Sequence, residues 1–471
     1  MNRDIDPDLR PGEFGPGRAG DVLILMSFEN MLATWLVKQR WFAGKGRTVH
    51  DLAVVADTEI VSGDPALRHL IVTVSHGATV DSYQLFVGLR SRLPSVLRHA
   101  KIGTAAGMQV YDGLHDAELT RPLLEAIAGE ATIGPLRFAR VPSAPIETGA
   151  DSLVLTGEQS NTSLVFGESA ILKVFRRPAP GPNPDLEVAA ALAELGSPHV
   201  AEPYGWIETR MEGASTVLAI LSRYLKAASD GWSLAATSVR DLYASASAGT
   251  SAADAGGNFA GEARRLGIAT AQVHADLADA FGADELPPDA IREMAEQMYR
   301  RLDMAVAAVP ELARYCDMVG SAYSDLAKLK EPVPAQRVHG DYHLGQVMRT
   351  QTGWVVLDFE GEPASPLAQR RARSSPLRDV AGMLRSFDYA ARHQLINHPE
   401  AVRLAVAASD WVRHNSEAFC VGYAAAGGID PEANSVLLRA LQMDKAVYEV
   451  MYEARHRPSW LAIPLESLAE F

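Results

Sequence analysis

The chain has 471 residues, and 47% of them are hydrophobic. A chain of this length is too long for a single hydrophobic core, so we expect about two or three domains. Its 44 Lys and Arg against 58 Asp and Glu give a net charge of −14, and without a long basic run this excludes a nucleic-acid-binding protein. The longest early apolar stretch, residues 22–26, is too short for a membrane span or a signal sequence, which predicts a cytoplasmic protein.

The N-terminal part is predicted to contain a flexible extension and a separate cap module. Residues 1–25 are rich in Gly, Pro, Arg and Asp and show no periodicity, which is typical of a flexible segment. From Phe28 onward, apolar residues recur at helical spacing, and the alternating segments 70–74 and 82–87 indicate a small sheet. We therefore predict that residues 26–110 form a module of their own.

The intermediate region, residues 111–224, is predicted to contain a nucleotide-binding hairpin. A polar loop with Ser160, Asn161 and Thr162 enters two short apolar strands, and such a loop can bring backbone N–H groups close to phosphates. Lys173 stands within the second strand, where the ATP-pairing lysine of a kinase also lies. The alternative is a lysine on an edge strand, where its charge prevents aggregation.

A helix and a further strand continue this region. Pro184 is predicted as the first helical residue, and Glu187 follows in the first turn. Glu187 is predicted either to pair with Lys173, as the helix glutamate of a kinase does, or to interact favourably with the helix dipole. The next apolar strand runs into Ser222 and Tyr224, the position at which the backbone of a kinase binds adenine.

Residues 225–471 are predicted to be mainly helical. Periodic apolar residues predict helices at 259–277, 376–394, 400–425 and 433–456. The stretch 244–257, rich in Ala, Gly and Ser, is predicted to be a loop. His274 lies on the first of these helices, and we expect it to be structural rather than catalytic. Cys316 and Cys420 lack a metal-like spacing and are expected to be reduced core residues.

A phosphotransfer centre is indicated by residues 339–346, HGDYHLGQ, together with the apolar strand that ends in Asp358. An HGD tripeptide alone is common in turns, so the combination carries the prediction. A hairpin turn centred near residue 352 would place Gln346 opposite Asp358, where an amide oxygen and a carboxylate can hold Mg²⁺. Asp341 can accept the proton of the attacking hydroxyl, and His343 is a candidate contact to the acceptor.

The last long predicted helix offers a candidate sugar-binding surface. Asp444, Tyr448 and Tyr452 recur every four residues, Glu449 lies on the adjacent stripe, and Trp460 follows shortly after the helix. Carboxylates can bind pairs of sugar hydroxyls, and aromatic rings can cover the C–H faces of a sugar. The alternative is a solvated helix face with internal ion pairs.

The order of these elements resembles the protein-kinase-like fold of aminoglycoside phosphotransferases and small-molecule kinases. Longer strings resemble the actinobacterial maltokinases, namely residues 35–44 (WLVKQRWFAG), 159–163 (QSNTS), 171–177 (ILKVFRR), 357–363 (LDFEGEP), 375–382 (SPLRDVAG) and 444–449 (DKAVYE). The fold class that this resemblance implies is α+β, a bilobal protein-kinase-like fold with an N-terminal cap module.

The resemblance to maltokinases also implies an activity and its residues. The family transfers the γ-phosphate of ATP to the anomeric hydroxyl of maltose, giving maltose 1-phosphate for synthesis of α-glucans such as glycogen. By resemblance, Asp341 is the catalytic base, Gln346 and Asp358 bind Mg²⁺, and Lys173 holds the phosphates of ATP. Trehalose synthase is a candidate partner.

Two departures from the family pattern and two alternatives accompany this interpretation. Tyr342 stands where close maltokinases would have Leu, and the pair Arg373-Ser374 also looks variable, so both bear on the fit of the sugar. A related actinobacterial sugar or aminosugar kinase, such as a glucosamine kinase, is the first alternative. A non-catalytic pseudokinase is the second, and the joint presence of the candidate catalytic residues argues against it.

Overall fold

The structure, a computed structural model, describes most of the chain after residue 18. The described residues are 19–45, 47–77, 79–157, 160–245, 251–253, 259–362 and 365–471, with the backbone alone for 19–27. The predicted extension over residues 1–25 lies mostly outside them, and so does most of the predicted loop over 244–257. The first helix begins at Ala19, earlier than Phe28, where the sequence predicted its start.

The chain divides into two units. Unit 1 contains Met1–Asn183 and Glu202–Lys226, and unit 2 contains Pro184–Ala201 and Ala227–Phe471. The predicted boundary after residue 224 lies close to the end of unit 1. The helix that begins at Pro184, which the sequence analysis placed in the intermediate region, belongs to unit 2.

The first part of unit 1 is a helix packed on a five-stranded antiparallel sheet. Its elements are α1 (Ala19–Leu36), β1 (Asp51–Val61), β2 (Ala66–His76), β3 (Thr79–Arg90), β4 (Lys101–Ala105) and β5 (Met108–Asp112). The strand order is β1-β2-β3-β5-β4. Leu32 and Leu36 of α1 share a core with Leu70, Val72 and Leu85 of the sheet, so the alternating segments predicted from the sequence do bury one face.

The second part of unit 1 is a seven-stranded sheet with one helix. Its elements are α2 (Ala117–Ala128), β6 (Thr132–Ile133), β7 (Leu136–Arg140), β8 (Ser152–Val154), β9 (Thr162–Phe166), β10 (Ala170–Val174), β11 (Pro203–Met211) and β12 (Ala214–Arg223). The strand order is β6-β7-β11-β12-β10-β9-β8. Lys173 in β10 lies between Ser163 of β9 and Ile220 of β12, so the edge-strand alternative for this lysine is wrong.

The two sheets of unit 1 are joined by buried polar contacts. Gln84 Nε2 in β3 donates to the carbonyl oxygens of Phe175 and Leu218 at 2.5 and 2.6 Å. Arg176, 1% exposed, forms an ion pair of 2.6 Å with Asp112 and lies 4.7 Å from the ring of Trp41. These contacts hold the cap sheet to β12 and to the residues that follow β10, the strand that carries Lys173. Removing either partner of the buried ion pair would leave the other charge unpaired.

Unit 2 is mainly helical, as predicted. Its helices are α3 (Pro184–Glu194), α4 (Gly231–Ser245), α5 (Phe259–Phe281), α6 (Pro288–Ala308), α7 (Cys316–Ala327), α8 (Leu367–Arg370), α9 (Leu377–Arg392), α10 (Ala401–Ala425), α11 (Ser435–His456) and α12 (Ala462–Leu468). The four helices predicted from periodicity correspond to α5, α9, α10 and α11. Within the described residues, no helix is both long and apolar enough to cross a membrane.

Helices α5 and α10 cross with their backbones in close contact. A Cβ atom on Gly267 would lie 2.1 Å from the carbonyl oxygen of Phe419, and one on Gly422 would lie 2.1 Å from that of Arg264. Both positions therefore require glycine, and together they fix the separation of the two helices.

Two small sheets complete unit 2. Their strands are β13 (Ser229–Asp230), β14 (Ala283–Leu286), β15 (Val333–Gln336), β16 (Val347–Arg349) and β17 (Trp354–Val356), in the orders β13-β16-β17 and β14-β15. Residues 339–346 lie between β15 and β16. Cys316 and Cys420 are free, and both are partly buried against the helical core of unit 2.

Candidate active site

The loop that carries Asp341 is held by a buried carboxylate. Asp379, in the first turn of α9, accepts hydrogen bonds from the backbone N–H groups of His339 and Gly340 at 2.7 and 2.9 Å. Burial alone would raise the pKa of Asp379, but the hydrogen bonds from His274 and the backbone hold it below its ordinary value. A charged carboxylate therefore fixes the backbone just before Asp341.

His274 connects this anchor to two long helices. Its Nε2 atom lies 3.0 Å from Asp379 Oδ2, and its Nδ1 atom lies 2.9 Å from the hydroxyl oxygen of Tyr423 in α10. The ring is buried on α5 and does not line the cavity described below. These contacts fit the structural role predicted for His274.

The hairpin after the loop brings Gln346 and Asp358 together, in a register that differs from the predicted one. Val347 pairs with Val356, and the N–H of Leu357 donates to Gln346 O at 2.8 Å, so Gln346 lies opposite Leu357. The two side chains meet nonetheless, with Gln346 Nε2 3.0 Å from Asp358 Oδ2. Asp358 has a φ of 66°, in the left-handed region, which changes the direction of its side chain after the strand.

Two further carboxylates lie beside Asp358. Each of these carboxylates and Asp358 offers one oxygen, and the three oxygens of Asp185, Asp358 and Glu360 lie within 4.8 Å of one another. Asp185 Oδ1 also accepts a hydrogen bond of 2.9 Å from the N–H of Phe359. Carboxylate and amide oxygens are the ligands that Mg²⁺ prefers in proteins, so this donor set suits the metal predicted from Gln346 and Asp358. Asp185 and Glu360 were not predicted from the sequence.

A cavity of about 660 Å³ in unit 2 contains Asp341 in its wall. The other lining residues come from α4, the loop after β15, the segment after β17, α9, α11 and the residues that follow α11. They are Trp232, His343, Gly345, Glu362, Gly382, Ser386, Tyr389, Lys445, Tyr448, Glu449, Met451, Tyr452, Glu453, Arg455, His456, Arg457 and Trp460. Carboxylates, basic groups and aromatic rings thus face one volume.

Lys445 forms the centre of the ionic contacts in this cavity. Its Nζ atom lies 3.4 Å from Asp341 Oδ1 and 3.3 Å from Glu362 Oε2, and the hydroxyl of Tyr448 donates to Glu362 Oε1 at 2.6 Å. Burial alone would lower the pKa of Lys445, but Asp341, Glu362 and Glu449 raise it above its ordinary value. The lysine is therefore a permanent cation next to Asp341.

Glu449 contributes a second fixed carboxylate. Its Oε2 atom accepts hydrogen bonds from Arg385 Nε and Nη2 at 2.9 and 2.7 Å. Among the described residues, none donates to Glu449 Oε1. Burial raises the pKa of Glu449 above its ordinary value, and the guanidinium of Arg385 opposes this effect.

The residues predicted to contact the acceptor separate into two groups. His343, Tyr448, Glu449, Tyr452 and Trp460 line the cavity. Asp444 lies one turn before Tyr448 on α11, but it pairs with Arg301 of α6 and does not line the cavity. Because Asp444 shares a four-residue spacing with Tyr448, the sequence pattern could not show that Asp444 contacts α6 and not the cavity.

Several lining residues were not predicted. Lys445 and Glu453 lie on the second stripe of α11 that the spacing already indicated, and Glu362 follows Asp358 by four residues. Tyr342, a departure from the maltokinase pattern, points into the core, where its hydroxyl lies 2.8 Å from Thr270 Oγ1. Tyr342 therefore does not contact the cavity.

The residues predicted to bind nucleotide in unit 1 lie on or beside three adjacent strands, β9, β10 and β12. They are Ser160, Asn161, Thr162, Lys173, Ser222 and Tyr224. Lys173 Nζ lies 5.2 Å from the centre of the Phe175 ring, and the N–H of Tyr224 donates to Ser169 O at 2.9 Å. Residues 158 and 159 of the predicted loop lie outside the described residues. Nucleotide binding by this set stays a prediction.

Glu187 lies in the first turn of α3, as the helix-dipole alternative requires. Its carboxylate also forms ion pairs with Arg371 at 2.5 Å and with Arg337 at 3.2 Å. Arg371 lowers the pKa of Glu187 below its ordinary value, so the group is charged at neutral pH. These two arginines are partners that the sequence analysis did not identify.

Two family models match the chain. The maltokinase N-terminal cap domain matches residues 35–116, and the phosphotransferase enzyme family matches residues 152–396. A glucosamine kinase of Streptacidiphilus jiangxiensis is 33% identical over 388 residues, covering 77% of this chain and 84% of that protein. A glucosamine kinase of Mycolicibacterium smegmatis is 29% identical over 330 residues, covering 68% of this chain and 79% of that protein.

The fold is also similar to that of a solved structure. A glucosamine kinase in complex with glucosamine, ADP and inorganic phosphate aligns with a TM-score of 0.64 at 24% identity, covering 94% of this chain and 98% of that chain. This likeness concerns the fold. The predicted α+β class, a protein-kinase-like fold with an N-terminal cap, is confirmed.

Proposed function

Because this chain belongs to the phosphotransferase enzyme family and carries a maltokinase N-terminal cap domain, we propose that it uses ATP to phosphorylate a hydroxyl of a sugar bound in the cavity of unit 2. Glucosamine is the first candidate acceptor, since two relatives that align with 77% and 68% of this chain are named for it. Maltose, the acceptor predicted from the sequence, is the second candidate.

The observation that carries this proposal is the presence of two carboxylate oxygens without a donor in the cavity. Among the described residues, none donates to Asp341 Oδ2 or to Glu449 Oε1. The side chains of Asp341 and Glu449 are 21% and 12% exposed, so these oxygens are accessible to a donor that a ligand supplies. A sugar hydroxyl can supply it at Asp341, and the ammonium group of glucosamine can supply it at Glu449 with an additional ionic attraction.

Aromatic rings complete the proposed acceptor site. Tyr448 and Tyr452 stack with their ring centres 6.3 Å apart on one face of α11, and Arg457 lies 4.3 Å from the ring of Trp460. Rings of this kind can cover the C–H faces of a sugar while their polar edges stay hydrated. The acceptor is thus proposed to lie between the carboxylates and the rings.

Asp341 is proposed as the catalytic base. It would accept the proton of the attacking hydroxyl and orient that oxygen for in-line attack on the γ-phosphate. Gln346 and Asp358, with Asp185 and Glu360 beside them, would hold Mg²⁺, which supplies positive charge to the transferred phosphoryl group. In unit 1, Lys173 is proposed to hold the phosphates of ATP.

Maltose has specific support of its own. The cap family is named for maltokinase, and the cavity of about 660 Å³ is larger than one sugar ring requires. Maltose has no ammonium group, so Glu449 would accept hydrogen bonds from the hydroxyls of maltose without an ionic attraction. Product on the anomeric oxygen of maltose would support the activity implied by the sequence resemblance.

The test is a panel of four acceptors, glucosamine, glucose, maltose and trehalose, in which consumption of ATP is measured with purified full-length protein. We expect the highest kcat/KM with glucosamine, and NMR of the product then shows which hydroxyl carries the phosphate. N-acetylglucosamine is the matched control, since acetylation removes the ammonium group and keeps the ring. Equal kcat/KM for glucosamine and N-acetylglucosamine would rule out an ionic role for Glu449. Activity with none of these sugars would contradict the sugar-kinase proposal.

A further inference from the structure

A chain of alternating charges runs from the cavity to the C-terminal segment of unit 2. It begins at Glu449, which lines the cavity and accepts two hydrogen bonds from Arg385. Arg385 Nη1 also donates to Asp388 Oδ2 at 3.2 Å. Asp388 Oδ1 accepts from Arg392 Nε at 2.7 Å, and Arg392 Nη2 lies 2.5 Å from Glu470. Five charged groups on three parts of the fold are thereby connected in sequence.

The middle of this chain is deeply buried. The side chains of Arg385, Asp388 and Arg392 are 2%, 6% and 4% exposed. Buried charges depend on their partners, because removing one partner leaves an unpaired charge away from water. A change at one end of the chain is therefore expected to change the interactions of the next member, as contacting charges are energetically coupled.

Arg385 determines how Glu449 faces the cavity. Both hydrogen bonds from its guanidinium reach the same oxygen, Oε2, from two adjacent nitrogen atoms. This geometry fixes the carboxylate and leaves Oε1 for another donor. Lysine keeps the charge but cannot offer the planar fork, so it cannot fix the carboxylate in the same way.

At the end of the charge chain that is remote from the cavity, residues that do not line the cavity hold Arg385 and Arg392. Ser467 of α12 accepts a hydrogen bond from Arg385 Nη1. Glu470 accepts from Arg392 and, at 2.6 Å, from the hydroxyl of Ser409 in α10. Leu468 is completely buried beside them, so α12 packs against the core and keeps these partners in place.

We propose that Arg385 is a positioning residue for the acceptor, acting through Glu449. Asp388 and Arg392 hold Arg385, and Glu470 of the C-terminal segment holds Arg392. The affinity for the acceptor thus depends on a residue at the far end of the charge chain, outside the cavity. This inference rests on the proposed function of the cavity as the acceptor site.

The experiment compares Glu449→Gln, Arg385→Lys and Glu470→Gln with the wild type. The acceptor is the sugar with the highest kcat/KM in the four-sugar panel, and KM is measured separately for acceptor and ATP. We expect Glu449→Gln and Arg385→Lys to raise the acceptor KM about tenfold and Glu470→Gln to raise it about threefold, with the ATP KM unchanged. A merely structural role would lower the amount of active enzyme and leave both KM values as they are.

The matched control is Glu400→Gln. Glu400 is 54% exposed and pairs with Arg403 at 2.9 Å, much as Glu470 is 45% exposed and pairs with Arg392. Neither Glu400 nor Arg403 is among the residues that line the cavity. The double variant Arg385→Lys/Glu449→Gln tests coupling. Its acceptor KM should not exceed that of Glu449→Gln alone, because Arg385 acts through that carboxylate.

The outcomes separate this inference from the function on which it rests. If Glu449→Gln leaves the acceptor KM unchanged, the cavity is not the acceptor site and the proposed function fails. If Glu449→Gln raises it while Arg385→Lys and Glu470→Gln do not, the positioning role is overturned and the acceptor site stands. Should Arg385→Lys fail to fold, Glu470→Gln decides, since its side chain is half-exposed and its loss is tolerable for folding.

Discussion

Lys445 and Asp341 form an ion pair of 3.4 Å in the wall of the cavity, so the proposed catalytic base has a cation at its side. The lysine comes from α11 and the aspartate from the loop after β15, more than a hundred residues earlier. Through this pair, α11, the helix that carries the proposed acceptor contacts, directly contacts the proposed catalytic base.

Replacement of this lysine by a neutral residue of similar length tests its role. In Lys445→Met, Asp341 and Glu362 lose their shared cation and repel each other and the incoming phosphates. We expect kcat at saturating substrates to fall by at least about tenfold. Lys328→Met is the control, because Lys328 is 69% exposed and pairs only with the nearby Asp325 among the described residues. A kcat like that of the control would show that the cation is dispensable.

Asp341→Asn keeps the size of the side chain and removes the base. We expect kcat to fall by about 10²-fold or more, with binding of acceptor and ATP largely retained. Steady-state kinetics and calorimetric titration of each substrate measure the two parts. Asp279→Asn, an exposed aspartate of α5, serves as the control. Near-normal turnover of Asp341→Asn would mean that another group takes the proton.

Lys173→Ala tests the nucleotide site of unit 1. Loss of a point charge that holds the phosphates should raise the KM for ATP and leave the KM for the acceptor unchanged. Lys226→Ala is a suitable comparison, because Lys226 is an exposed lysine of the same unit that pairs with Glu168. If the two variants use ATP equally well at every concentration, Lys173 does not hold the nucleotide.

His69 in the cap sheet predicts a pH dependence of stability. Its ring is buried beside Gln84, and burial lowers the pKa of His69 to about 4. The unfolded chain takes up a proton near pH 6.5 and the folded chain does not. The stability of the folded chain is therefore fully present above about pH 6.5, as far as His69 is concerned, and falls as the pH falls towards about 4. The difference corresponds to about 3 kcal/mol.

Urea unfolding at pH 7 and pH 5 measures this effect. We expect the free energy of unfolding to fall between the two pH values by less in His69→Asn than in the wild type, since the amide can still donate to Gln84 and cannot titrate. His50→Asn is the control, since His50 is an exposed histidine of the same unit. An identical fall in His69→Asn and the wild type would show that His69 is protonated in the folded chain.

Local periodicity explains which elements could be predicted. The positions of α5, α9, α10 and α11 follow from apolar residues at helical spacing, and Lys173 was placed on its strand by the short apolar run around it. The hairpin register was missed by one residue, because the loop between Arg349 and Trp354 sets it and the sequence pattern does not define where the two strands end. Sequence spacing shows which residues share a helix face and not what that face meets, which is why Asp444 was placed in the acceptor site.

Contacts between distant segments account for the rest. Arg385 and Glu449 are 64 residues apart, and Asp185 reaches Phe359 across 174 residues. Neither pair belongs to a motif or a repeating pattern, so only the packing of α9 on α11 and of α3 on the segment after β17 brings them together. The cavity itself has the same origin, since its wall combines α4, α9 and α11 with two loops.

The close crossing of α5 and α10 has a consequence for the order in which a newly made chain acquires its working form. The loop with Asp341 is anchored through Asp379 and His274, and His274 in turn needs Tyr423, which follows Gly422 at the crossing. A ribosome has therefore finished the loop long before the helix that steadies it has emerged. During that interval, the nascent polypeptide holds the proposed base, Asp341, without the contacts that anchor its loop, so we expect this loop to become ordered only after α10 has been made.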